Sequence, residues 1–166
     1  MEITDGDAFI AYWNKIRART RRVISHIPHD RFDWTYRDEA WTFADLIRHL
    51  GALERWMFVE NALRRPSLYA GCGRDLADGP DEVLAYLDRM HEESVALIES
   101  LSTDDLAAHC ETPAGVRITV WKWLRAMIEH EVHHRGQIYL MLGILEVAGP
   151  PLYGLTSEEV QDRSVS

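Results

Sequence analysis

Hydrophobic positions recur at helical spacing in four long segments of the chain, and few other stretches alternate as a strand would. The segments cover, approximately, residues 5–26, 42–65, 79–100 and 120–147. An apolar residue at every third or fourth position gives each segment one hydrophobic face. Because such faces are buried by packing helix on helix, the pattern predicts an all-α protein built as a four-helix bundle.

Capping residues and a proline indicate where these helices begin. Thr42, with Asp45 three residues later, forms a capping-box pair at the start of the second helix. Pro80, followed by two acidic residues, is typical of a first helical turn and begins the third helix. Ser102 caps a short acidic turn, and residues 116–120 are predicted to be briefly extended. No linker or repeat divides the chain, so residues 1–166 are expected to form a single domain.

Charge narrows the function classes. The net charge of −9 and the pI of about 5.3 disfavour binding to nucleic acid or to anionic membrane surfaces. The arginines of the first helix, including Arg17, are spread around its surface and are interpreted as solvated.

No apolar run is long enough to span a bilayer. Two isolated cysteines, Cys72 and Cys110, and the lack of a signal-like segment lead us to expect a cytoplasmic protein.

The histidines of the fourth helix carry the strongest chemical signal. His130 and His134 are one helical turn apart on the predicted buried face, so both imidazoles can bind one ion. His49 lies on the apolar stripe of the second helix, away from Arg48 on its charged side, and is the best third ligand. His91 remains a possible substitute. Three histidines leave coordination positions open, as in a catalytic metal site with a metal-bound water or thiol as nucleophile.

Three other interpretations of the same residues stay open. His130, Glu131 and His134 satisfy the H-E-x-x-H pattern of zinc peptidases, in which Glu131 would be the general base. One class of these peptidases needs a glycine and a third histidine after His134, and another needs a glutamate ligand on a later helix. The sequence after His134 shows neither pattern. In a competing geometry, His130 and His133, rather than His130 and His134, would be the two metal ligands on the fourth helix. The site could also bind a metal without catalysis.

The segment from His130 to Gln137 resembles the signature of the DinB family. Residues 42–50 resemble its first-ligand helix, and residues 149–154 resemble a frequent tail of the family. The resemblance implies a bundle with one long crossover connection, often a homodimer. It also implies that His49, His130 and His134 bind nickel, zinc or a similar divalent ion. Related members include transferases and isomerases that use low-molecular-weight thiols such as mycothiol or bacillithiol, acting on small molecules.

Several residues near this signature are expected to support the site. Arg135 and Gln137 could orient an imidazole or make a contact between helices, and Gly136 in mid-helix suggests the close approach of another helix or of a dimer partner. Glu131 is expected to be structural and is only a weak catalytic candidate. The remaining second-shell or pocket candidates are His133, Trp56 and Tyr153. The sequence thus predicts a metal-dependent transferase or hydrolase.

Overall fold

The computed structural model describes residues 2–164 and is mainly helical. Helices α1 to α7 span Gly6–Ile24, Phe43–Leu53, Glu60–Ala62, Pro80–Ile98, Thr103–Ala107, Val120–Ile144 and Ser157–Ser164. A 3-10 turn, His29–Arg31, precedes α2, and a π-helical segment, Glu54–Val59, joins α2 to α3 without a break. Strands β1 (His109–Glu111) and β2 (Arg117–Thr119) pair in antiparallel register.

Four long helical units form the bundle. Helix α1 packs on α6, and α2 packs on α4 and also contacts α6. The π-helical segment and α3 extend α2 so that it also contacts the first half of α6. The predicted all-α four-helix bundle is therefore confirmed. Among residues 2–164, no helix combines the length and hydropathy needed to cross a membrane.

The helix starts follow the predicted caps. Thr42 accepts a hydrogen bond from the backbone N–H of Asp45 at 3.1 Å, and the Asp45 carboxylate accepts one from the Thr42 N–H at 2.9 Å. Ser102 and Asp105 form a second capping box at the start of α5. Each box satisfies backbone donors that a helix leaves unpaired at its N-terminus.

All four long helical units end before their predicted limits, and two of these endings share one backbone conformation. Glu146, just beyond α6, has a φ of 58°, and Arg64, just beyond α3, has a φ of 61°. In both places the next residue donates its N–H to a carbonyl five residues back, at 2.9 Å. This left-handed ending stops a helix by bonding its last carbonyls. Strand β1 and helix α7 were not predicted.

A polar layer separates two hydrophobic clusters in the core. One cluster fills the bundle around Ile47, Leu87 and Ile138, and the other surrounds Trp13 and Leu124. Each long helix contributes buried or half-buried polar side chains between residues of the two clusters. They are Arg17 and Thr20 on α1, His49 on α2, Glu54 just after it, His91 and Ser94 on α4, and His130, Glu131, His134 and Arg135 on α6.

The expectation that Arg17 is solvated was wrong. Its side chain is buried and forms ion pairs with Glu54 and, at 3.3 Å, with Glu131. His91 contacts the same Glu54 carboxylate at 3.3 Å. Burial alone would lower the pKa of Arg17, but the charges of Glu131 and Glu54 outweigh it and raise that pKa. Helical spacing alone did not reveal this cluster, because its carboxylates come from two other segments.

Arg48 also lies inside the protein, which corrects its predicted place on an exposed charged face. Its guanidinium donates to the backbone carbonyls of Cys72 at 2.8 Å and Ala77 at 3.0 Å. It also pairs with the Asp45 carboxylate at 2.6 Å. Arg48 therefore fastens the connection between α3 and α4 onto α2, beside His49.

Candidate metal centre

Three imidazoles meet in the polar layer between α2 and α6. The Nε2 atom of His130 lies 3.1 Å from Nε2 of His49 and 2.9 Å from Nε2 of His134. Helix α6 places His130 and His134 one turn apart on the same face, and the Arg48-anchored part of α2 presents His49 opposite them. Within residues 2–164, these three form the group of potential ligands whose donor atoms all lie within 4.8 Å.

Neighbouring side chains hydrogen-bond to the Nδ1 atoms of two of these rings. The Oε1 atom of Gln137 lies 2.6 Å from Nδ1 of His134. Because an amide oxygen can only accept, Nδ1 of His134 must carry the proton, which leaves its Nε2 lone pair facing the other rings. Gln137 was among the predicted second-shell residues, and the structure brings it to the cluster.

A tyrosine lies beside the ring on α2. The hydroxyl of Tyr69 lies 2.8 Å from Nδ1 of His49. A metal ion on Nε2 of His49 would leave the ring proton on Nδ1, where the Tyr69 oxygen can accept it. Burial raises the pKa of Tyr69 to about 12, so the hydroxyl stays protonated at neutral pH. With the ring proton on Nδ1, the lone pair of His49 Nε2 would be directed to the cluster.

The surroundings keep all three rings neutral. Burial and the charges of the other histidines lower the pKa of His130 to about 3, and burial followed by the charge of His134 lowers that of His49 to about 4. Burial also lowers the pKa of His134. A neutral imidazole is the form that binds a metal ion.

Aromatic side chains enclose the cluster on two sides. The ring of Trp41 lies 4.6 Å from that of His49 and 6.0 Å from that of His134, centroid to centroid. Phe58, in the π-helical segment, lies 5.6 Å from the ring of His130. These apolar walls reduce the access of water to the imidazoles, which strengthens electrostatic interactions within the cluster.

The residues present fit a divalent transition metal. The Nε2 atom of His130 can either donate or accept a hydrogen bond, and Nε2 of His134 carries no proton, so at least one of the two close Nε2 pairs lacks a hydrogen bond. A cation satisfies such a set, and three imidazole nitrogens suit zinc, nickel, copper or iron. Three protein ligands also leave room for water or a substrate.

Glu131 and Arg135 face away from the imidazoles toward α1. Glu131 is buried, accepts a hydrogen bond from Thr20 at 2.6 Å and pairs with Arg17. Arg135 is buried as well and donates to the backbone carbonyl of Ile16 at 3.5 Å. Both side chains therefore hold α6 against α1, and neither makes a described contact with the three histidines.

The other predicted site residues are spread over the surface of the bundle. His133 is exposed, and the structure does not place it in the ligand group. Trp56 is half-buried beneath the guanidinium of Arg55, which lies 4.2 Å from its ring. Tyr153 is 78% exposed, and Arg19 lies 5.2 Å from its ring. The structure therefore gives Trp56 and Tyr153 contacts outside the cluster.

Sequence reasoning identified neither Tyr69 nor Trp41 as a neighbour of the cluster. Tyr69 lies in the connection after α3, where no periodic pattern shows which way a side chain points. A signal for Trp41 was its position directly before the capped start of α2 at Thr42. A large aromatic residue at that position packs back over the first turns of its helix.

The comparisons with known proteins agree with this fold. The sequence profile described as the DinB superfamily matches residues 12–138. No curated protein sequence matches the chain significantly.

Solved structures of DinB-like proteins have a similar fold. Those from Bacillus subtilis and Bacillus cereus are each 15% identical, with TM-scores of 0.69 and 0.67, and each match covers 87% of this chain and 95% of the other. YfiT from Bacillus subtilis, described as a probable metal-dependent hydrolase with an unusual four-helix bundle topology, is 19% identical with a TM-score of 0.70. That match covers 89% of this chain and 91% of YfiT.

Proposed function

The chain belongs to the DinB superfamily, and on that premise we propose that it is a hydrolase of small molecules that depends on a divalent metal held by His49, His130 and His134. The convergence of three Nε2 atoms, at 2.9 and 3.1 Å across the two pairs, carries the proposal. YfiT, which shares the fold, is described as a probable metal-dependent hydrolase, and this supports the reaction class.

Each residue of the site has a separate task. The three histidines present neutral nitrogen ligands. Gln137 holds His134 in the tautomer that directs Nε2 inward, and the Tyr69 hydroxyl can accept from Nδ1–H of His49 when its Nε2 binds a metal. Trp41 and Phe58 limit the access of water from two sides. A divalent metal held here would act as a Lewis acid, polarising a substrate carbonyl and acidifying a water molecule or a thiol.

The position of Glu131 argues against a peptidase of the H-E-x-x-H type. Its carboxylate is committed to Thr20 and Arg17 and is buried against α1, so it is not free to act as the general base. The described strands are three residues long each and pair only with one another. They offer little edge for an extended peptide.

The test is a comparison of hydrolysis and thiol transfer in the same preparations. Protein reconstituted with zinc or nickel is given 4-nitrophenyl acetate, and separately 1-chloro-2,4-dinitrobenzene with L-cysteine as the thiol. We expect metal-dependent ester hydrolysis that is lost in His130→Ala and retained in His133→Ala, whose ring is exposed. Acceleration only with the thiol would replace the hydrolase by a thiol transferase. Bound metal without either activity would favour a non-catalytic metal-binding protein.

A further inference from the structure

An apolar pocket lies directly beside the three histidines. It has a volume of about 470 Å³ and lies between residues 36–41, the start of α2 and the second half of α6. Leu46 and Met141, each 3% exposed, are the buried residues of its lining. Four large hydrophobic side chains that line it are exposed: Tyr36, Trp41, Leu140 and Ile144. Exposed apolar side chains gathered around one cavity are typical of a ligand site.

Two residues belong both to this pocket and to the candidate metal centre. Trp41 forms part of the pocket wall, and its ring packs on His49 and His134. Gln137 also lines the pocket, while its Oε1 atom accepts from Nδ1 of His134. An occupant of the pocket is therefore separated from the imidazoles by one layer of side chains.

The orientation of Gln137 decides what polar group the occupant should carry. Because Oε1 is committed to His134, the NH₂ group of the same amide is the part left to bond an occupant, and it can only donate. No hydrogen bond from this NH₂ group is described within residues 2–164. Arg37 and Glu39 also line the pocket with opposite charges, which disfavours recognition by net charge.

We propose that this cavity, which we call the Trp41 pocket, binds small apolar carbonyl compounds, with the carbonyl oxygen on the Gln137 NH₂ group and the apolar body on Leu140, Ile144 and Met141. Its volume falls in the range of about 300–1,000 Å³ that is usual for small-molecule sites. Its link to catalysis rests on the proposed function: because Trp41 and Gln137 lie between the pocket and the imidazoles, the bound compound would be a substrate before it reaches the metal, or the product after it leaves. Binding itself needs no metal and is tested without one.

The test uses two probes that differ in one oxygen. The ligand is 2-acetylnaphthalene, a neutral aromatic ketone that cannot be hydrolysed, and the control ligand is 2-ethylnaphthalene. Affinities for the metal-free protein are measured by ligand-observed NMR. We expect wild type to bind the ketone about tenfold more tightly, which corresponds to one hydrogen bond of about 1.4 kcal/mol. Gln137→Leu should abolish this preference, and Leu140→Glu should weaken both ligands about tenfold or more.

Val132→Glu is the matched control, because Val132 is another exposed apolar residue of α6 that does not line the Trp41 pocket. It should leave both affinities unchanged. The proposal is overturned if wild type binds neither probe, if Val132→Glu weakens binding as much as Leu140→Glu, or if the ketone preference survives in Gln137→Leu. A dimer by light scattering that Leu140→Glu converts to a monomer, without probe binding, would assign the pocket to a second copy of the chain.

A final measurement separates the pocket from the proposed function. Protein loaded with cobalt should broaden the proton resonances of bound 2-acetylnaphthalene, and zinc-loaded protein should not. Absence of broadening would contradict the placement of the compound beside the histidines. If every hydrolysis assay failed, the proposed function would be wrong, but the measured affinities and the cobalt broadening would still support the Trp41 pocket.

Discussion

At the scale of single residues, the site depends on which nitrogen of each imidazole carries the proton. Spacing along α6 and the apolar stripe of α2 predicted His49, His130 and His134 as a group, because helical periodicity states which side chains share a face. It could not identify Tyr69, whose position depends on a connection without periodicity. Gln137 was among the candidates, but its role follows only from the 2.6 Å contact with His134.

We expect Tyr69→Phe to weaken zinc or nickel binding by about 10- to 100-fold, the usual effect of removing a partner of a metal-binding histidine. The hydroxyl that lies 2.8 Å from Nδ1 of His49 is lost, while the ring and its packing remain. Competition with a chelator of known affinity measures the change. Tyr86→Phe is the control, because Tyr86 is a buried tyrosine that packs beside Gly51. Equal losses in the two variants would argue against the role of Tyr69.

The metal-free protein should lose stability as the pH falls from about 6.5 to about 4. Burial lowers the pKa of His49 and His130 from 6.5 to about 4 and about 3, so the unfolded chain takes up these protons at a higher pH than the folded protein. Protonation then favours unfolding in this interval. Urea unfolding at several pH values measures the fall, which should be smaller in His130→Asn and unchanged in His109→Asn, whose exposed side chain lies in strand β1. An equal fall in all three proteins would contradict this account.

At the scale of elements, the hydrophobic pattern predicted the four long helices but not how three of them are joined by buried charges. Arg17 on α1, Glu54 after α2 and Glu131 on α6 come from distant parts of the sequence. Each looks like a surface residue when its own helix is considered alone. The ends of α3 and α6 were also missed, because Arg64 and Glu146 adopt a left-handed conformation that glycine more often provides.

Removing the buried cation should destabilise the bundle strongly. We expect Arg17→Met to lower the free energy of unfolding by about 3–5 kcal/mol, because it leaves the Glu54 and Glu131 carboxylates buried without a charge partner. Arg22→Met, on the exposed side of the same helix, should change it by less than about 0.5 kcal/mol. Denaturant unfolding compares the two. If the two variants were equally stable, the pairing would have little energetic importance.

Two glycines test how closely the helices approach one another. A Cβ atom on Gly51 would lie 3.3 Å from Cε1 of Tyr86 and 3.4 Å from Cα of Leu87, so Gly51→Val should destabilise the contact between α2 and α4. Gly136 was expected to mark a close approach, but a Cβ there meets no atom within 4 Å. Gly136→Ala should therefore stabilise α6 by about 0.5–1 kcal/mol. Thermal unfolding measures both, and a destabilised Gly136→Ala would indicate that a second copy packs on this face.

At the scale of the whole molecule, the polar layer divides the hydrophobic core in two and contains both the histidine cluster and the buried charges. Such a layer lowers the stability of the fold, since buried polar groups contribute less to stability than packed hydrocarbon. A chain of 166 residues can bury enough apolar surface to fold without a structural metal. We therefore interpret the histidine cluster as retained for function. Dimerisation stays a prediction of the family resemblance.

The most direct test of this account is the metal content of the purified protein, measured by elemental analysis after purification without chelators and after reconstitution with zinc or nickel. We predict near-stoichiometric metal in wild type and in His133→Ala, whose histidine neighbours the cluster but is exposed. The metal should be lost in His49→Ala, in His130→Ala and in His134→Ala. Wild-type protein that binds no metal after reconstitution, or His49→Ala that retains it fully, would contradict the three-histidine centre.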